Sequence, residues 1–396
     1  MPRPLLHVVQ ISFFNDPAGR APAQLLEAWP SLVDVADAAL QAGVRVSVVQ
    51  ACLHPQQVEH HGVRYYFLPF GHTAPARGHS SPLCELLRTL APDVLHVHGL
   101  GFPRDVLALA AMLPNVPIVL QDHANRVPRP WRRGAWRRGM AVAAGIAFCA
   151  IEQAQPFVEA RLVDSKTHLY AIPESTSRFT LADQEDARRA TNVSGDPAVL
   201  WVGHLDVNKD PLTVLAGISD AARLRPRLQL YCCFGVAPLL REVQDRIAAD
   251  SLLRDRVHLL GRVPHERIEQ LMRAADVFVL GSHREGSGFS LIEALACGLP
   301  PVVTDIPSFR ALTGAGAVGM LWPCDNPHAL CAALLSVTAR LGPAMRAAVR
   351  AHFESELSFA ALGLKLAAMY HDLVERTPSA AVSARHAQHS APLRAS

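Results

Sequence analysis

The residues with the clearest chemical content lie together in the run Gly281-Ser282-His283-Arg284-Glu285-Gly286-Ser287-Gly288-Phe289-Ser290-Leu291-Ile292-Glu293, which continues to Cys297-Gly298-Leu299-Pro300. A buried strand over Val277–Leu280 delivers the chain to a glycine-bearing loop that holds one carboxylate, Glu285. A helix then starts near Phe289 and carries a second carboxylate, Glu293, about one and a half turns along. The first amides of a helix have no partner within it, and the positive end of the helix dipole lies behind them. The amides of Gly288, Phe289 and Ser290 are therefore expected to face a ligand, and glycines at 286 and 288 let that ligand approach the backbone. Such a place suits an anionic or polyhydroxyl ligand, and two acids beside it suit the hydroxyls of a sugar.

Other constellations carry less. His96 and His98 alternate on one face of a strand, but no third ligand lies at a metal-like spacing, so they read as structural or site-lining groups and no metal is expected. Gly314-Ala315-Gly316-Ala317-Val318-Gly319 fits the dinucleotide fingerprint by letter. It runs into a strand instead of leaving one, the reverse of the context that fingerprint needs, and no dinucleotide cofactor is expected. Between Arg126 and Arg138 lie six arginines with Trp131 and Trp136. That segment is either a solvated basic face or a peripheral contact with anionic headgroups or an anionic ligand.

The elements that must hold these groups are legible as two windings. Short apolar runs, Leu5–Ile11, Val44–Val49, Tyr65–Pro69, Val94–His98, Pro117–Leu120, Gly145–Cys149 and His168–Ile172, alternate with helical patterns, as in a buried parallel sheet wound by helices. The pattern dissolves from Pro173 to Asp196 and then restarts with Val199–Val202, Leu228–Cys233, Val257–Leu260, Val277–Leu280, Pro301–Thr304 and Gly319–Trp322. The fold class is α/β, with two Rossmann-like doubly wound domains facing across a cleft where the carboxyl ends of the strands gather.

Composition agrees with a globular chain of that size. Its 396 residues are 50% hydrophobic and 18% charged, which excludes a disordered or collagenous protein. With 38 Lys and Arg against 35 Asp and Glu, no nucleic-acid partner is implied. The eight cysteines, Cys232 and Cys233 adjacent among them, show no CxxC repeat and no Cys/His metal spacing and read as buried thiols. The N-terminal run is too short and too interrupted for a signal peptide, and no run approaches the ~20 residues of a membrane span. The expected location is the cytoplasm, with peripheral membrane attachment through the arginine-rich segment as the variant.

The frame Glu285-Gly-x-Gly-Phe-x-x-x-Glu293-Ala-x-Ala-x-Gly-x-Pro-x-Val resembles the donor-site motif of the family 4 retaining glycosyltransferases, which have the GT-B fold. The resemblance spans most of the chain and is strongest in its second half. It is supported by Val202-Gly203-His204-Leu205-Asp206-Val207-Asn208-Lys209-Asp210, Leu260-Gly261-Arg262-Val263, Ala274-Ala275-Asp276-Val277-Phe278-Val279 and Asp305-Ile306-Pro307-Ser308-Phe309-Arg310. In the first half, Asp93-Val94-Leu95-His96-Val97-His98-Gly99 and Asp122-His123 are similar to the family pattern. The implied organisation is an acceptor domain over 1–172, a linker over 173–196, a nucleotide-sugar domain over 197–354, a helix over 355–376 packing back on the first domain, and a disordered tail over 377–396.

What the resemblance implies for the site is specific. Glu293 would bind ribose hydroxyls of a nucleoside-diphosphate sugar, and Glu285 the hydroxyls of the transferred sugar. The amides of Gly288, Phe289 and Ser290 would meet sugar and diphosphate. Lys209 would neutralise the diphosphate, beside the loop of Gly203 and His204, and Arg262 would lie beside the nucleobase. His123 would reach the reacting sugar from the acceptor side. The implied chemistry is front-face transfer with retention, with no metal and no cofactor beyond the donor, to an acceptor the sequence does not identify. His204 stands where the family usually has an arginine, and the loop Asn15–Arg20 lacks the paired glycines often found there. A sugar-nucleotide epimerase and a catalytically degenerate binding scaffold are the alternatives on the same architecture.

Overall fold

The apolar runs become strands of two separate sheets. The computed structural model describes residues 5–69, 81–164 and 166–377. One unit comprises the described parts of Met1–Glu174 and Leu362–Ser396, the other Ser175–Ala361. The part of the C-terminal tail from Pro378 onward lies outside the described residues.

Among the described residues the first unit holds an eight-stranded sheet. Its strands are β1 (His7–Ser12), β2 (Arg45–Ala51), β3 (Gln56–His60), β4 (Val63–Leu68), β5 (Val94–His98), β6 (Ile118–Gln121), β7 (Gly145–Phe148) and β8 (His168–Ala171). Their spatial order is β3-β4-β2-β1-β5-β6-β7-β8, all parallel except β3, which runs antiparallel to β4. The sequence reading lacked β3. Its side chains are exposed or half-buried at the sheet edge, so it carries no apolar run to detect. A two-residue turn with positive φ at His61 and Gly62 joins it to β4.

Val9, Ile11, Leu95, Val97, Ile146 and Phe148 point from these strands into one core with Leu83, Leu109, Met140 and Trp136 from the covering helices. Each fully buried side chain of this kind contributes about 1.5–3 kcal/mol relative to exposure. The helix Phe359–Arg376 enters this unit at Leu362 and buries Leu362, Leu366, Met369 and Tyr370. Gly363 permits that docking, because a β-carbon there would stand 2.2 Å from the Ala38 carbonyl oxygen.

The second unit holds β9 (Ala198–Val202), β10 (Gln229–Cys233), β11 (Val257–Gly261), β12 (Val277–Leu280), β13 (Pro301–Thr304) and β14 (Met320–Trp322). They lie in the order β11-β10-β9-β12-β13-β14, all parallel. This is the doubly wound 3-2-1-4-5-6 arrangement. Within the stretch read as a linker, residues Gln184–Thr191 form a helix capped by the Asp183 carboxylate. Arg267 of the helix His265–Ala274 donates to the carbonyls of Ala190 and Thr191 at its end. The helix is mostly polar and exposed, which is why apolar periodicity did not reveal it. All eight cysteines are free, and all but the half-buried Cys324 are buried.

Candidate active site

In a doubly wound sheet the connections leave in opposite directions at one point, and the loops there splay apart to form a crevice at the carboxyl ends of the strands. In the second unit that point lies between β9 and β12, neighbours with Leu200 beside Phe278. The loop after β9 carries Gly203, His204 and Lys209; the loop after β12 carries Glu285. Two backbone-directed hydrogen bonds hold the loops side by side: His283 N–H donates to the Asn208 carbonyl at 2.8 Å, and Asn208 Nδ2 to the Arg284 carbonyl at 2.9 Å. Across them the Lys209 ammonium pairs with Glu285 Oε1, both side chains largely buried at 15% and 13% exposure.

The helix Phe289–Ala296 starts directly after Gly288, whose φ is +78°. A β-carbon at Gly288 would stand 2.7 Å from Phe309 Cε1, so both conformation and space call for glycine. Hydrogen bonding within the helix begins when Leu291 N–H reaches the Gly288 carbonyl, so the amides of Gly288, Phe289 and Ser290 precede the ladder. Glu293 lies further along this helix, 15% exposed, with Oε1 2.5 Å from His265 Nε2. The His265 ring in turn lies 4.7 Å from that of Phe179. His265 escaped the sequence reading; its only signal is a histidine opening the helix after Arg262-Val263-Pro264.

His204 and Arg262 come close on another side of the same loops. His204 Cε1 and an Arg262 guanidinium nitrogen would lie 3.8 and 3.6 Å from a β-carbon at Gly235, at the end of β10. The Val236 amide donates to His204 Nδ1 at 3.2 Å, so the neutral ring carries its proton on Nε2. Arg262 is exposed.

The first unit has its own switch point, between β1 and β5, where Ser12 lies beside His98. A cavity of about 400 Å³ opens there, lined by Phe14, Trp29, Gln50, His98, Phe102 and His123 among others. His123 Nδ1 lies 2.5 Å from Glu174 Oε2, and His123 Nε2 lies 3.1 Å from His98 Nδ1. The His98 ring stacks on His96 at 4.5 Å, and His96 Nδ1 meets the Tyr370 hydroxyl at 2.8 Å. Burial pushes His96 down to about 3 and holds His98 well below the usual histidine range, with neighbouring histidines adding to both. Burial opposes the charge of His123 as well, but the Glu174 carboxylate, by charge and hydrogen bond, outweighs it and raises His123. Burial, with the Glu174 charge, pushes Asp122 up to about 6. Glu174 was read as the start of a linker; its signal is an acid just after β8.

The arginine-rich segment needs one correction. Trp131 is 74% exposed beneath the Arg129 guanidinium, but Trp136 is only 8% exposed and stacks on Phe157 in the core. The helix Arg133–Ala141 turns Trp136 inward, so it takes no part in a surface contact.

Residues 183–346 match the family model described as Glycosyl transferases group 1, and residues 30–154 the one described as Glycosyltransferase Family 4. The chain belongs to the family 4 glycosyltransferases. This family 4 chain is 25% identical over 245 residues to the GDP-mannose:cellobiosyl-diphosphopolyprenol alpha-mannosyltransferase of Xanthomonas oryzae pv. oryzae, covering 60% of the chain and 62% of that protein. It is 31% identical over 198 residues to the D-inositol 3-phosphate glycosyltransferase of Geodermatophilus obscurus, covering 48% and 44%. The match thus spans less than two thirds of either relative. Among solved structures it is similar to sucrose-phosphate synthase from Thermosynechococcus elongatus, with a TM-score of 0.65 at 20% identity over 93% of this chain and 99% of that one. It is also similar to Anabaena HepE in complex with UDP, with a TM-score of 0.68 at 17% identity over 93% and 100%. The fold is the GT-B type, two parallel-sheet α/β units.

Proposed function

We propose that the protein is a retaining glycosyltransferase that takes its sugar from a nucleoside-diphosphate donor bound at the second unit's switch point. The observation that carries this is the Lys209–Glu285 pair across the loops after β9 and β12, beside the amide end of the helix Phe289–Ala296. One group is cationic, one accepts hydroxyls, and the helix terminus favours negative charge. In the proposed reaction the bond from the anomeric carbon to the diphosphate oxygen breaks as a new bond to an acceptor hydroxyl oxygen forms. The hydroxyl proton leaves with the departing diphosphate, on the face from which the acceptor enters. Lys209 offsets the charge that develops on the leaving group. Glu285 holds hydroxyls of the transferred sugar, Glu293 those of the ribose, and Arg262 lies beside the base. No metal step is part of the proposal. His123, held by Glu174, serves the acceptor side.

The relative that uses GDP-mannose and the structural neighbour crystallised with UDP differ in nucleotide, so the donor base is left to experiment. A thermal-shift panel of UDP, GDP, ADP and TDP sugars supplies it, because a ligand of the native state raises the melting temperature. A shift with one nucleotide series, absent in Glu293→Ala, is expected; no shift with any of them contradicts the proposal. Cytoplasmic placement is kept. Trp131 with Arg129 and Arg132 is proposed as a peripheral contact with anionic lipid, tested by cosedimentation with phosphatidylglycerol vesicles before and after Trp131→Ala.

A further inference from the structure

The cavity of the first unit states more about its ligand than position alone. Among the described residues, none of those lining it is an acid, a lysine or an arginine. The two histidines add no free charge: His98 is buried and neutral, and His123 already faces the Glu174 carboxylate. A phosphate or carboxylate in this cavity would meet no unpaired cation, and an ammonium no carboxylate, so a charged ligand would be desolvated without compensation.

Two buried polar atoms of the lining residues are nevertheless without partners. Gln50 spends both amide hydrogens on the carbonyls of Phe14 and Ala51, at 2.7 and 2.8 Å, and its Oε1 has no hydrogen bond among the described residues. His98 uses Nδ1 toward His123, and its Nε2 is equally unpartnered. Gln50 is fully buried and His98 is 9% exposed, so neither atom has water as a ready substitute. Gln50 Oε1 only accepts, whereas His98 Nε2 donates or accepts according to which ring holds the proton of the His98–His123 bond. A hydroxyl can answer both. The remaining walls are aromatic, with the Phe14 and Trp29 rings 5.6 Å apart and tilted by 48°, and Phe102 on the loop after β5. They offer flat apolar surface to the C–H face of a saturated ring.

We propose that this cavity binds an uncharged, polyhydroxylated six-membered ring, which is the accepting moiety. The proposal rests on the glycosyltransferase reading and adds the chemical class of the acceptor.

Saturation-transfer NMR on the full chain, without donor, tests it. Glucose, galactose, mannose and myo-inositol are the neutral probes; glucose 6-phosphate, glucuronate and glucosamine are their charged counterparts. At least one neutral ring is expected to bind roughly tenfold or more tightly than its charged counterparts, a difference of about 1.4 kcal/mol. Trp29→Ala and Gln50→Leu are each expected to weaken it by a similar factor. Trp29 is a half-buried lining residue, so Trp29→Ala carries the test if Gln50→Leu does not fold. Equal binding of a charged counterpart, no binding of any neutral ring, or neutral binding untouched by Trp29→Ala each overturns the proposal. The nucleotide-sugar thermal shift on the same sample separates the two readings. A donor shift without ring binding refutes the acceptor class alone, and ring binding without a donor shift refutes glycosyl transfer alone.

Discussion

Lys209 and Glu285 are ion-paired although they stand 76 positions apart in the chain. Each group thus takes up part of the other's hydrogen-bonding capacity, and in the proposed site a diphosphate would compete with the Glu285 carboxylate for Lys209. Glu285→Gln removes that competitor while keeping a hydrogen-bonding group. Affinity for the free nucleoside diphosphate is expected to rise by up to about tenfold, on the order of 1 kcal/mol, while turnover of the donor sugar falls. Calorimetry with the diphosphate beside steady-state rates checks both signs; a loss of diphosphate affinity would show that the carboxylate assists the cation.

Glu293 and His265 are expected to differ in degree. Glu293 is 15% exposed and in the proposed site meets ligand hydroxyls, so Glu293→Ala should weaken donor binding roughly 100-fold. His265 is 57% exposed and orients that carboxylate. His265→Ala should raise the donor KM about three- to tenfold and leave kcat nearly unchanged, with His265→Asn recovering part of the loss. A fall in kcat without a change in KM contradicts the positioning role.

The buried histidines make acid stability a test of the first unit. Folded His96 stays unprotonated down to about 3, whereas the unfolded chain takes up a proton near the ordinary histidine value of 6.5. The unfolded state then binds more protons between those limits, and stability falls as pH drops through that window. His96 alone should cost about 2 kcal/mol between pH 6.5 and pH 5, with His98 acting in the same direction. His123 has the opposite sign. Its value is raised, so its pairing with Glu174 stabilises fully below 6.5 and fades as pH climbs through its folded value. Melting curves from pH 4 to 9 should show a shallower acid limb in His96→Gln, and a larger deficit at pH 6 than at pH 9 in Glu174→Gln.

Gly288→Ala should damage the amide end of its helix, which the proposed function assigns to the donor. The substitution combines a left-handed backbone cost of ~1–2 kcal/mol with overpacking against Phe309 of ~1–3 kcal/mol. Only the second part depends on Phe309. Adding Phe309→Leu should therefore return about 1 kcal/mol relative to the sum of the single changes, as a double-mutant cycle by denaturant unfolding would read it. Strict additivity would mean that the ring moves aside at no cost.

The strand pattern and the frame from Glu285 to Val302 were readable from the chain because their determinants are local. Apolar runs buried on both faces mark the parallel strands, and a strand, a glycine loop and a helix start occupy consecutive residues. Elements whose side chains face water lacked that mark, as β3 and the helix Gln184–Thr191 illustrate. Spacing likewise did not separate Trp131 from Trp136; the start of a helix at Arg133 turns one inward and leaves the other out.

Folding alone settled which distant groups meet. Sheet order, a sum of many weak packing choices across the whole unit, brings β9 against β12 and so Lys209 against Glu285. The same kind of ordering sets β1 beside β5, and with them the His98–His123–Glu174 chain and the cavity beside it. A single histidine or acid such as His265 or Glu174 has no periodicity of its own. Its partner is chosen by elements elsewhere in the unit, and burial then fixes its charge.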